Sequence, residues 1–67
     1  MFNITYETNF GKKKTISVID ELYALQMFKS LMQAIDLHSV IIIDGFTGEV
    51  LYEFVDGELK IINGYML

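Results

Sequence analysis

Few side chains in this 67-residue chain could do chemistry. His38 is its one imidazole. A catalytic acid or base needs an oriented partner within hydrogen-bond reach, and Asp36 is the carboxylate nearest to it in sequence. No nucleophile accompanies the pair, and a place just past a helix C-terminus, where a cation is favoured, accounts for His38. The segment Asp44-Gly45-Phe46-Thr47-Gly48-Glu49 offers two carboxylates and a hydroxyl to a hard cation. It lacks the alternating oxygens of a calcium loop and the Gly-Lys-Ser/Thr ending of a phosphate loop; Asp and Gly are ordinary turn formers. Lys12, Lys13 and Lys14 could hold phosphates in a salt-dependent way. A solvated hairpin tip that also guards an edge strand is the plainer account. No nucleophile–base pair, metal set or cofactor loop can be assembled. The chain is therefore expected to be non-enzymatic, with no cofactor and no metal.

Composition narrows the classes further. Sixty-seven residues allow one domain, 1–67, and one core. With no Cys and one His, disulfides and Cys- or His-rich metal sites are excluded. Stability must then come from a dense apolar core or an oligomer. The longest apolar runs, such as Val40–Ile43, fall far short of the ~20 residues that span a membrane. No secretory leader pattern opens the chain, so a cytosolic location is expected. The net charge is −4 and Arg is absent, whereas nucleic-acid readers lean on Arg and a basic footprint. The acids Glu7, Asp20, Glu21, Asp36, Asp44, Glu49, Glu53, Asp56 and Glu58 instead keep an apolar-rich chain in solution.

These residues must be positioned by six elements. Phe2, Ile4 and Tyr6 alternate with Asn3, Thr5 and Glu7, which predicts a half-buried strand. Asn9-Phe10-Gly11 marks a turn, and a second alternating strand runs from Lys13 to Val18. Asp20 is suited to cap a helix running to Asp36 or Leu37, with Ser17 as the competing cap. Its polar residues Gln26, Lys29, Ser30, Gln33 and Asp36 fall within roughly 120°, and its apolar residues cover about 200°. Val40–Ile43 reads as a strand, as does Val50–Val55. Asp56-Gly57 is a two-residue hairpin turn. That turn fixes a register: Val55 faces Glu58, Phe54 faces Leu59, Glu53 faces Lys60, Tyr52 faces Ile61 and Leu51 faces Ile62. The expected fold is α+β in the order β-β-α-β-β-β, one helix packed on one face of an antiparallel sheet.

A helix this broadly apolar has more to bury than one small sheet covers, and exposed apolar patches mark contacts. The candidate contacts are a helix flank, either Tyr23, Met27 and Ala34 or Leu25 and Met32, and the outer sheet face near Leu51 and Ile62. Phe46 either folds back over the core, the commoner outcome, or anchors a partner; Phe10 sits in its turn in the same way. The expectation is a small interaction protein forming a homodimer, with edge-strand pairing as a second geometry. Two alternatives stand beside it. One is an acidic inhibitor occupying a host protein's nucleic-acid site, which requires a continuous negative surface. The other is a weak nucleic-acid binder using Lys12–Lys14.

The short length, the lack of Arg, Cys, Pro and Trp, and the many Ile, Phe, Tyr and Met resemble small phage and prophage proteins of low-GC Gram-positive bacteria. Some proteins of that kind bind and inhibit host proteins, and the resemblance assigns no functional residue.

Overall fold

Asp56 and Gly57 take φ of 51° and 81°, the left-handed values that a two-residue hairpin turn demands of both central residues. The turn joins β4 (Val50–Val55) to β5 (Glu58–Ile61) in the register the sequence implies: Tyr52 opposite Ile61, Glu53 opposite Lys60, Phe54 opposite Leu59 and Val55 opposite Glu58. Beyond Tyr52 the ladder frays. The Leu51 carbonyl accepts from Ile62, Asn63 and Gly64 together. The structure is a computed structural model and describes residues 1–64.

Before this hairpin come β1 (Phe2–Thr8), β2 (Lys13–Val18), α1 (Glu21–Met32) and β3 (Leu37–Asp44). The sheet is antiparallel throughout, in the order β2-β1-β3-β4-β5. The helix lies over β1 and β3, giving the expected α+β fold. Asp20 is the cap, its carboxylate accepting from the Leu22 N–H at 3.1 Å.

The helix is shorter than its periodicity suggests. It ends at Met32, and the chain tightens into turns with Gln33 N–H to Ser30 and Ala34 N–H to Leu31. No breaker residue stops it; the sheet does. Leu37 and Ser39 are needed opposite Thr8 and Glu7, and the Asn9 N–H reaches the Asp36 carbonyl at 2.7 Å. Continuing the helix would sacrifice that pairing. His38 therefore lies on β3 rather than at a helix terminus. Its Nδ1 is 3.2 Å from the Asp56 carboxylate, and its carbonyl accepts from the Asp56 N–H, so it clasps the β4–β5 turn.

Strand alternation divides the apolar residues of β3. Val40 and Ile42 point into the core with Ile4, Ala24, Phe28 and Tyr52, all at most 1% exposed. Ile41 and Ile43 lie half-buried on the outer face, where Thr5 bonds Thr15 and Ser17 bonds Asn3 across β1 and β2. A bulge between Ile42 and Ile43 leaves Leu51 without a ladder partner. A bulge bends its strand and re-aims a side chain, so Leu51 packs against the core beside Phe2 and Glu21, not on the outer face.

Tyr52 is roofed by Gly64: a Cβ there would fall inside the tyrosine ring. Overpacking of this kind costs about 1–3 kcal/mol. Gly64→Ala is expected to lower the unfolding free energy, measured by urea denaturation, by that margin. Gly48→Ala, at φ 76° with open space around it, should show only its backbone strain of about 1 kcal/mol.

Candidate functional site

Folding covers most of the apolar helix stripe. Ala24 and Phe28 are buried, and Leu25, Met27, Leu31 and Met32 pack half-buried against the core. Of the helix-flank candidates that lie on the helix, only Tyr23 stands mostly exposed, at 53%. Leu25 and Met32 pack half-buried against the core, in which Phe28 meets the Tyr52 ring at 5.9 Å. Ala34 has left the helix and is exposed in the turn after it, because the helix stops two residues earlier than that flank required. Ile62 is half-exposed just past β5.

The most exposed apolar side chains, Phe10, Ile19, Ile35 and Phe46, lie instead at the two ends of the strands. Phe46 is 87% exposed and Phe10 84%, so neither ring folds back over the core. Both rings are held out by ordered turns. In the β3–β4 loop the Asp44 carboxylate accepts from the Phe46 and Thr47 N–H groups, its carbonyl accepts from Gly48, and the Thr47 hydroxyl accepts from Glu49. In the β1–β2 turn the Thr8 hydroxyl accepts from Phe10 and Lys12, while its backbone bonds Gly11 and Lys12. An aromatic ring on a fixed loop loses little entropy when it docks.

One end contains Phe46. The Gly45 N–H bonds the Met1 carbonyl, placing Met1 beside this loop. Phe2 faces Val18, so Ile19 lies across from Met1, and Leu22 follows over the helix cap. Met1, Ile19, Leu22 and Phe46 are all at least half exposed. Carboxylates rim them: Asp20 at the cap, then Glu21, Asp44 and Glu49 around a cavity of about 260 Å³ floored by Phe2 and Leu51. The opposite end contains Phe10 and the fully exposed Ile35, joined through the Asn9–Asp36 bond. There Lys12, Lys13 and Lys14 line a cavity of about 350 Å³ with Tyr6 and Thr8. Both ends combine apolar surface with charge: carboxylates rim the Phe46 end, and the β1–β2 tip presents three consecutive lysines, with Glu7 opposite Lys13 and with Asp36 and Asp56 at the same end of the sheet.

Among the described residues no group of three or more His, Cys, Asp or Glu side chains converges as a metal site would require, and no helix is long and apolar enough to cross a membrane. The carboxylates at the Phe46 end stay apart around its rim. No family model, curated protein or solved structure matches the chain.

Sequence reasoning singled out Phe46 but not the apolar set around it. Met1, Ile19 and Leu22 are scattered in sequence, and only the β1–β2 register and the Gly45–Met1 bond bring them to one end. Two variants separate loop order from ring burial. Phe46→Ser should leave the unfolding free energy within about 0.5 kcal/mol, as for an exposed side chain. Asp44→Ala removes an acceptor shared by two N–H groups and should cost about 1 kcal/mol, measured by chemical denaturation.

Proposed function

We propose that this chain is a non-enzymatic interaction protein of the cytosol that grips a partner protein through its Phe46 end. The observation that carries this reading is Phe46 itself. A phenyl ring 87% exposed is held there by four hydrogen bonds within its own loop. Exposed apolar surface at a rigid loop, rimmed by polar groups, marks a contact site.

The rim decides the kind of partner. Asp20, Glu21, Asp44 and Glu49 surround the apolar centre, and complementary potentials favour a basic surface against it. A partner with Lys or Arg around an apolar anchor fits. The acidity is local: Glu7, Asp36, Glu53, Asp56 and Glu58 lie elsewhere on the sheet and its turns. A rim around an apolar anchor supports a protein contact over the mimicry of a continuous nucleic-acid backbone.

Selection from a displayed random-peptide library on the immobilised protein tests this. Winners should carry Lys or Arg with an aromatic or aliphatic residue. They should bind Phe46→Ser at least about tenfold more weakly and weaken with added salt. Winners without positive charge, or indifferent to Phe46→Ser, would overturn the reading.

A further inference from the structure

The chain carries its own basic, apolar anchor at the end opposite Phe46, and we infer that it self-associates head to tail. The β1–β2 tip of one copy, with Phe10 and Lys12–Lys14, docks on the Phe46 end of a second. This rests on the reading of the Phe46 end proposed above and names a partner for it.

Shape and charge agree. Phe10 projects from a turn closed by the Thr8 hydroxyl and backbone. The cavity of about 260 Å³ beside Phe46 has an apolar floor of Phe2 and Leu51. The groove is open and is lined also by Thr47, Asn63 and Gly64, and its volume leaves room for a phenyl ring over Phe2 and Leu51. Its walls carry Glu21, Asp44 and Glu49, against the three consecutive lysines at the tip. A symmetric contact between two Phe46 ends would instead crowd carboxylates from both copies together, and one between two tips would crowd lysines.

The contact differs from the two-fold dimer that the sequence suggests. The two surfaces are different and lie at opposite ends of the strands, so the contact is heterologous. It closes into a ring or continues as an open chain. The molecule measures 30 × 20 × 18 Å, and one end of it buries less than the roughly 800 Å² per partner of a standard interface. Each contact therefore falls in the small, weak class of interfaces.

Sedimentation velocity on the full chain at low salt, up to about 1 mM, is the test. The tip variant combines Phe10→Ser, Lys12→Ser and Lys14→Ser. The end variant combines Phe46→Ser, Glu21→Gln and Glu49→Gln. The wild type should grow beyond a dimer as concentration rises, and added salt should reverse this. Each variant alone should stay monomeric. Their mixture should form a one-to-one complex and nothing larger, since one copy supplies an intact tip and the other an intact end. That complementation also shows that both variants fold.

Three results would overturn the inference. One is a wild type that stays monomeric. Another is a dimer that stops at two copies and survives both variants. The last is a mixture of the two variants in which no complex forms although circular dichroism shows each of them folded. A monomeric wild type whose Phe46 end still binds basic peptides overturns self-association alone and leaves the function proposed above standing.

Discussion

The fold depends on one contact: Phe28 of the helix packed on Tyr52 of β4, ring to ring at 5.9 Å and 45°. Both side chains are at most 1% exposed, in a core that among the described residues comprises six buried side chains, none of them charged. A domain of this size keeps only a few kcal/mol of net stability. Removing one such ring costs about 3–5 kcal/mol, comparable with the whole. The contact also draws the helix across the middle of the sheet, and with Ala24 it fixes which helix residues face inward. One helix cannot reach both ends and both edges of a five-stranded sheet. Leu59 and Ile61 on β5 remain 40% and 50% exposed, and the loops at either end lie beyond its reach.

Local signals made the sheet legible. Asp56-Gly57 demands left-handed φ at two consecutive residues, and that demand alone sets the β4–β5 register. Alternation in Phe2–Glu7 and Lys13–Val18 gave the first hairpin, and Asp20 announced the helix start. The end of the helix was not legible, because Gln33, Ala34 and Ile35 all tolerate a helix. Pairing of Leu37 and Ser39 with β1 overrides that preference, and nothing near residue 33 reveals that pairing. The same misplacement put His38 at a helix terminus, when its partner Asp56 is eighteen residues further on. Leu51 escaped for a related reason: a bulge is a property of two strands, and the sequence of one does not betray it.

The apolar excess apparent in the sequence is real, but it lies elsewhere than the helix wheel suggests. Counting the helix to Leu37 assigned Ala34 and Ile35 to a stripe they do not join. The folded stripe is covered except for Tyr23. The outer sheet face is also closed to easy docking. Its hydroxyl and amide groups are spent on each other, Thr5 with Thr15 and Asn3 with Ser17, and a partner would have to offer equal bonds to displace them. Ile41 and Ile43 sit half-buried beside that ladder.

The most exposed apolar side chains lie at two ends, one rimmed by carboxylates and the other tipped by three lysines, while Tyr23, Leu59, Ile61 and Ile62 are exposed elsewhere. Asp20 caps the helix, and Asp44 and Glu49 bracket the turn after β3, so acids gather where these elements meet. Lys12–Lys14 enter β2 at the far end, and Lys13 stands opposite Glu7 in the ladder. The separation follows from connectivity: antiparallel strands place the helix start and the β3–β4 turn at one end, and the β1–β2 turn at the other. The same residues that cap and turn the chain thus set the potential around Phe46 and Phe10. The hydrogen bonds that order each turn hold its ring in water, where burial of apolar area, at about 25 cal/mol per Å², remains available to a partner rather than to the core.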